Sequence, residues 1–205
     1  MKVEQLAVQQ IAETLKLKPN ANLMLATGST MDSVYALLRE ANLDFATAKT
    51  FNLDEYHPGN QFRNFMNEKL FDHINIAQQN IHFPCDNYDQ IIEESGGIDL
   101  CILGIGVNGH IAFNEPGSTS DSRTRIVELD ESTRVRNSKL SDGAQIPSHA
   151  ISVGIATILD CKRIIVIAKG DEKTAAVNDA RNGAISSACP ASFLQQHPDV
   201  IWLID

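Results

Sequence analysis

Short apolar runs alternate with amphipathic segments along almost the whole chain. In the first amphipathic segment Val3, Leu6, Ile11 and Leu15 recur near helical spacing, with polar residues between them. Short runs that predict strands follow at NLMLA, KTFNLDEY, IHF, IDLCILGIG, RTRIVEL, RIIVIA and VIWLI. The intervening segments predict helices at MDSVYALLREA, QFRNFMNEKLFDHI, YDQIIEE, HAISVGIATIL, DEKTAAVNDARNG and CPASFLQQH.

Strands of four to eight residues that alternate with helices are typical of βαβ units and a mainly parallel sheet. The 205 residues suit one domain, and the chain contains no repeat, low-complexity segment or linker. We therefore predict a single α/β domain over residues 1–205, with a doubly wound, Rossmann-like sheet and helices on both faces. The more polar segment STRVRNSKL predicts a mobile lid around residues 130–147.

Composition and charge argue against several classes of function. The formal net charge of -9 argues against a nucleic-acid or anionic-membrane partner, because both favour basic surfaces. No apolar stretch approaches the roughly 20 residues of a membrane span, and the N-terminus lacks the apolar core of a signal peptide. The four cysteines are scattered and no histidine or cysteine cluster has metal-ligand spacing. These features predict a cytoplasmic protein without a bound metal.

Polar residues follow several predicted strands. TGST (27–30) follows the first, Asp54 and Glu55 end the second, and the loop from Asn108 to Glu115 follows IDLCILGIG. Lys173 opens the helix after RIIVIA. Because ligands of open α/β sheets bind at the carboxyl ends of the strands, these groups predict one shared site.

Each feature also has a simpler interpretation. TGST offers backbone donors for a phosphate at a helix N-terminus, but Ser29 or Thr30 on its own is more often a helix cap. GIGVNG matches the GxGxxG of dinucleotide-binding proteins, yet the polar HIAFNEP after it does not begin a helix. Lys173 and Lys139 would be surface cations if they bound no phosphate, and Asp54 and Glu55 would only cap a turn.

The acid–base residues have complementary chemistry. A carboxylate at a strand end, such as Asp54, is suited to abstract a proton next to a carbonyl or imine. His110 exchanges a proton near neutral pH, and Glu115 could hold its imidazole in one tautomer. Asn108 and Asn114 lie in the same loop.

The motifs LATGST, FNLDEYH, LGIGVNGHIAFNEPGS, SRTRIVELDESTRVRNS and ISVGIATILD together resemble the glucosamine-6-phosphate deaminase family. The resemblance covers nearly the whole chain, and NGHIAFNEP and LDEY are its specific parts. It implies that glucosamine 6-phosphate and water give fructose 6-phosphate and ammonia, without a cofactor or metal. Related 6-phosphogluconolactonases lack the FNEP continuation.

The resemblance also implies roles for individual residues. Asp54 matches the base that moves a proton between C2 and C1, His110 the ring-opening residue and Glu115 its orienting partner. Asn108 stands where many members carry Asp, so it could position His110 or the substrate without holding a charge. The residues that match substrate contacts are Thr27, Gly28, Ser29, Thr30, Gly109, Lys139 and Lys173.

Departures from the family pattern imply a simpler protein. Val127 replaces a lysine that binds the activator in allosteric members, and Lys139 replaces an arginine. The sequence also ends after the last strand, without the extension of the longer hexameric members. We therefore expect a monomer or small homo-oligomer without allosteric control. Two alternatives stay open: a non-catalytic sugar-phosphate sensor and a 6-phosphogluconolactonase.

Overall fold

The computed structural model describes residues 1–129, 134–135 and 146–205. Six of its strands form one parallel sheet: β1 Asn22–Leu25, β2 Lys49–Asn52, β4 Ile81–His82, β5 Leu100–Gly104, β8 Ile164–Ala168 and β9 Val200–Ile204. Three more form a small antiparallel sheet: β3 Asp54–His57, β6 Arg125–Glu128 and β7 His149–Ser152. Every residue of β1 and β8 is buried, as expected for strands covered on both faces.

The parallel sheet has the strand order β4-β2-β1-β5-β8-β9. The chain therefore starts at the centre with β1, moves outward to β2 and β4, and returns to β5 beside β1. It then continues in the opposite direction to β8 and β9. This order confirms the prediction of a doubly wound, Rossmann-like sheet. It creates a crevice between β1 and β5, because the connections that follow these two strands run in opposite directions along the sheet.

Helices connect these strands on both faces of the sheet. Their bounds are α1 Val3–Leu17, α2 Ser29–Glu40, α3 Gln61–Lys69, α4 Tyr88–Glu94, α5 Ile155–Leu159 and α6 Thr174–Asn182. Helix α2 contacts α1 and α3, whereas α5 and α6 contact a 3₁₀ helix at Pro190–Gln196. Right-handed crossovers that run in opposite directions along the sheet place their helices on opposite faces. On α1, Val3, Ala7, Ile11 and Leu15 are buried while Leu6 is only half-buried.

The antiparallel sheet was not predicted, and two segments are corrected by it. KTFNLDEY is two strands in different sheets, β2 and β3, separated by Leu53. HAISVGIATIL is not one helix: it is β7 followed by the short helix α5. Strand β7 pairs with β3 on one side and β6 on the other, so pairing with distant residues overrides the apparent helical spacing.

Gly154 marks the break between β7 and α5. A Cβ atom at this position would lie 2.1 Å from the Ser122 carbonyl oxygen, so only glycine fits beside that backbone. The Ser122 side chain accepts a hydrogen bond from the Ile155 N–H at the start of α5. The turn from strand to helix is thus set by a close backbone approach.

Other boundaries differ less. The helix predicted over QFRNFMNEKLFDHI ends at Lys69 and continues as a 3₁₀ turn, and CPASFLQQH forms a 3₁₀ helix. RTRIVEL does contain a strand, although it lies at the edge of the antiparallel sheet. Lys139 and most of the lid predicted around residues 130–147 lie outside the described residues. In the described parts of the chain, no helix is long and apolar enough to cross a membrane.

Candidate active site

A cavity of about 780 Å³ lies at the crevice between β1 and β5. Its lining includes the predicted site residues Thr27, Gly28, Ser29, Thr30, Asp54, His110 and Lys173. Segments far apart in sequence thus meet at one edge of the sheet, as the carboxyl-end argument requires. Of the other predicted residues, Asn108, Gly109 and Glu115 do not line the cavity but lie in the loop that carries His110.

The loop between β1 and α2 ends at Gly28, which has φ +107°. Gly28 occupies the N-cap position of α2, and no side chain of the described residues caps this helix. The interpretation of Ser29 or Thr30 as a helix cap is therefore wrong. The first N–H groups of a helix have no partner within it, so uncapped donors and two hydroxyls face the cavity together.

Asp54 lies directly behind the carboxyl end of β2, as the first residue of β3. Its side chain is buried, and burial together with the neighbouring charge of Glu55 raises its pKa to about 7. A hydrogen bond from the Thr27 side chain opposes part of this rise in pKa. A carboxyl group with a pKa near neutrality can accept and return a proton at physiological pH.

Glu55, the next residue, has a different task. Its carboxylate accepts hydrogen bonds from the backbone N–H groups of Tyr56 at 2.8 Å, Phe62 at 3.0 Å and Arg63 at 2.8 Å. Two of these donors belong to the first turn of α3, where a carboxylate stabilises free N–H groups. The capping interpretation therefore applies to Glu55.

The imidazole of His110 is held by an amide. Asn108 Oδ1 lies 2.6 Å from His110 Nδ1 and accepts a further bond from the His110 N–H at 3.2 Å. Asn108 Nδ2 donates to Glu115 Oε2 at 2.6 Å. Because a carboxylate only accepts, the amide oxygen must face the ring, and Nδ1 must therefore carry its proton.

Glu115 also approaches the ring directly, with Oε2 3.5 Å from His110 Nδ1. The shorter contact to the ring comes from Asn108, so Glu115 acts on His110 chiefly by orienting the Asn108 amide. His110 Nε2 makes no hydrogen bond to the described residues, and the ring lines the cavity. This nitrogen is the one available to a ligand.

Two glycines make room for this arrangement. A Cβ atom on Gly106 would lie 2.2 Å from atoms of the His110 ring, so the ring packs flat on bare backbone. Gly109 has φ +79°, and a Cβ atom there would lie 2.5 Å from Cys189 Sγ. No helix follows this loop before β6, unlike the dinucleotide-binding motif that its GxGxxG spacing matches.

Asn114 is structural. Its side chain is fully buried; Nδ2 donates to the carbonyls of Ile111 at 3.0 Å and Val153 at 2.9 Å. Arg125 donates to Asn114 Oδ1 at 3.0 Å. These bonds tie the loop after His110 to β6 and to the end of β7, which keeps the imidazole in place.

Several lining residues were missed by sequence reasoning. The apolar wall contains Phe62, Phe65 and Phe113, while Asp32, Lys169 and Glu172 add charges. Lys169 is the first residue after β8, so its position at a strand end is a signal in the sequence like that of Lys173. The aromatic wall had no comparable signal, because it forms only when α3 packs against the loop after β5.

The fold and the cavity define a class of protein. It is a doubly wound α/β protein that has hydrogen-bond donors for an anion and acid–base side chains at the crevice between β1 and β5, where the strand order reverses. Residues 1–202 match the family model described as glucosamine-6-phosphate isomerases/6-phosphogluconolactonase. The chain belongs to this family.

Individual relatives favour one branch of the family. A glucosamine-6-phosphate deaminase of Pseudoalteromonas translucida (strain TAC 125) is 44% identical over 220 residues, which cover 97% of this chain and 82% of that protein. A solved structure described as a monomeric glucosamine-6-phosphate deaminase has a TM-score of 0.93 and 38% identity, covering 99% of this chain and 92% of that chain. A 6-phosphogluconolactonase structure from Thermotoga maritima has a TM-score of 0.79 but only 21% identity, covering 100% of this chain and 96% of that chain. The last likeness shows the fold alone.

Proposed function

We propose that this protein is a glucosamine-6-phosphate deaminase, an enzyme that converts glucosamine 6-phosphate and water to fructose 6-phosphate and ammonia. The observation that carries the proposal is the meeting of Asp54 and His110 in one cavity with the donors of residues 27–30 and with Lys173. Identity of 44% to a named deaminase supports the same reaction. The lactonase alternative has only the shared fold and the shared family model in its favour.

The phosphate is proposed to bind at the N-terminus of α2. The uncapped N–H groups and the hydroxyls of Ser29 and Thr30 would donate to its oxygens, and Lys173 would supply a positive charge. Lys173 reaches the same cavity from the connection between β8 and α6. An anchored phosphate leaves the sugar to extend across the switch point, towards Asp54 and the loop after β5.

His110 is proposed to open the sugar ring. The ring oxygen needs a proton as the C1–O5 bond breaks, while the C1 hydroxyl loses one to become an aldehyde. With Nδ1–H held by Asn108, Nε2 is the atom that exchanges these protons. Asn108 and Glu115 are thus positioning residues, since they act through the imidazole.

Asp54 is proposed to move the proton from C2 to C1. In the open-chain substrate, Asp54 takes the C2 proton while O1 gains a proton from the C2 ammonium group, which gives an enolamine. Return of the first proton at C1 leaves a C2 imine in its protonated form. Water then adds to the imine and ammonia departs, which gives the ketone. The raised pKa of Asp54 suits both steps, because the carboxylate must accept the proton and then release it.

We expect a monomer or small homo-oligomer in the cytoplasm, with no nucleic-acid or membrane partner. The solved relative at 38% identity is described as monomeric.

The direct test incubates the purified protein with glucosamine 6-phosphate and measures ammonia and fructose 6-phosphate separately. We expect both products in equal amounts, and their loss in Asp54→Asn. A parallel reaction with 6-phosphogluconolactone should proceed no faster than spontaneous hydrolysis. Binding of glucosamine 6-phosphate without any product at saturation would overturn the proposal and favour a sensor.

A further inference from the structure

Lys169 stands beside the proposed phosphate site and has no role in the mechanism above. It is the first residue after β8 and lines the same cavity as Lys173, four residues later. Its side chain is 31% exposed. Two lysines on one short connection therefore face one cavity.

The ammonium group of Lys169 is held loosely. Nζ lies 3.4 Å from Ser33 Oγ and 3.7 Å from Glu4 Oε1, both long distances for these groups. By contrast, Lys18 and Lys162 both bind Asp99 at 2.7 Å at the amino ends of the strands. A long, partly exposed ion pair contributes little to stability. The pair with Glu4 therefore does little to hold α1 in place and does not explain why a lysine occupies position 169.

The contact with Ser33 shows where the ammonium group lies. Ser33 is four residues after Ser29, so both side chains lie on the same face of α2, about one turn apart. The Lys169 ammonium thus lies beside Ser33, which is roughly one helical turn, about 5.4 Å along the axis, from the uncapped N-terminus of α2. A lysine stem with four rotatable carbons can span that distance without any backbone movement.

We propose that Lys169 is a second phosphate-binding cation of this active site, and that it pairs with Glu4 when no phosphate is bound. When a phosphorylated sugar binds at the N-terminus of α2, the Lys169 ammonium leaves Glu4 and joins Lys173 at the phosphate. Glu4 is a half-buried carboxylate of α1 that holds the lysine on the cavity side in the meantime. The inference rests on the proposed function for its substrate, and on the cavity for its phosphate chemistry.

The experiment compares Lys169→Gln with Lys169→Arg, Glu4→Gln and Lys162→Gln. Two readouts are used: the dissociation constant of inorganic phosphate, measured by calorimetry, and the steady-state constants for glucosamine 6-phosphate. For Lys169→Gln we expect about a tenfold weaker phosphate affinity and a tenfold higher KM, with kcat within threefold. Phosphate is held alike in the ground and transition states, so the loss should appear in KM.

The other variants separate phosphate binding from a structural role. Lys169→Arg should keep most of the affinity because the charge remains. Glu4→Gln should bind phosphate more tightly by a few-fold, since it removes the competing carboxylate. Lys162→Gln removes a lysine that is paired with a carboxylate at the amino ends of the strands, away from the cavity. It should leave both readouts unchanged.

The result that would overturn the inference is a phosphate affinity within twofold of wild type in Lys169→Gln. A loss of affinity in Lys169→Gln that is matched by Lys162→Gln would also overturn it, because the effect would then be general charge. Failure of the proposed function gives a different pattern. In that case the wild-type protein forms no ammonia, while the phosphate affinities still rank the variants.

Discussion

The two ends of the cavity are built in different ways. The anion end, formed by residues 27–30, Lys169 and Lys173, consists of backbone donors, hydroxyls and lysines, and Gly28 and Ser29 are exposed. The acid–base end consists of Asp54, His110 and Glu115, which are largely shielded from solvent, and of Asn108, which is exposed. Asp54 is only 7% exposed, and the His110 and Glu115 side chains are 14% and 13% exposed.

This contrast follows from the work proposed for each end. A phosphate carries its charge throughout the reaction, so its donors need only surround it, and mobile lysines are adequate. Proton transfer requires a set geometry and a pKa near the working pH. Burial raises the pKa of Asp54 towards neutrality, and the Glu115–Asn108–His110 chain of hydrogen bonds fixes the orientation of the imidazole.

The largest expected effect is on kcat at the acid–base end. Asp54→Asn should lower kcat by a factor on the order of 10² or more with little change in KM, because the lost interaction is a proton transfer. Steady-state assays with glucosamine 6-phosphate measure both constants. Exchange of the C2 proton with deuterated water should stop as well.

Glu55→Gln is the matched control, since it alters the adjacent carboxylate. It should weaken the cap of α3 and lower the melting temperature, while exchange at C2 continues. If Asp54→Asn turned over normally, Asp54 would be excluded as the C2 base and the comparison between the two neighbours would fail.

The next effect concerns the tautomer of His110. Asn108→Ala removes the acceptor for Nδ1–H, so kcat should fall by about tenfold or more, most strongly for the cyclic substrate. Nitrogen-15 NMR of the imidazole should show the proton on Nδ1 in the wild type and shared between the two nitrogens in the variant.

Asn108→Asp keeps an acceptor facing Nδ1 and should retain the tautomer, which makes it the control for Asn108→Ala. It also places a second carboxylate beside Glu115. An Asn108→Ala protein with the wild-type tautomer would show that the amide does not select it.

A smaller effect is expected at the anion end. Lys173→Ala should raise KM by roughly tenfold and leave kcat nearly unchanged, because phosphate binding is uniform along the reaction. High salt should reduce the difference between variant and wild type, since it screens the charge. A fall in kcat with constant KM would instead place Lys173 in the chemical step.

The last effect is on stability and not on the reaction, and it carries a definite sign. The folded protein raises the pKa of Asp54 from 3.8 to about 7, so it favours the protonated form. The Asp54 contribution to the free energy of unfolding should therefore be complete below about pH 4 and decline as the pH rises to about 7.

Asp54→Asn removes this titration. Urea unfolding should show the free energy of unfolding of the variant increasing relative to that of the wild type as the pH rises from 4 to 8. The expected increase is on the order of a few kcal/mol, since each unit of pKa shift corresponds to about 1.4 kcal/mol. An unfolding difference that did not vary with pH would contradict the raised pKa.

Much of the fold was predictable because its signals are local. The apolar runs that became β1, β5 and β8 are buried on both faces, which leaves near-continuous hydrophobic sequence, and α1 has its buried residues at every fourth position. The polar groups after these strands then had to meet at one edge, because parallel strands end together. Ser29, His110 and Lys173 do line one cavity at that edge, although they come from three separate connections of the chain.

The sequence by itself therefore determined the parallel strands, the helices α1 and α2, and the edge of the sheet that carries the polar groups. Only the tertiary structure decided how FNLDEYH divides between two sheets, since β3 pairs with β7 some hundred positions further along the chain. It also decided that Glu55 caps α3 while Asp54 faces the cavity, and that Asn108 is the nearer partner of His110. These outcomes depend on which groups lie within about 3 Å of one another after folding, and no local pattern of residue types encodes that distance.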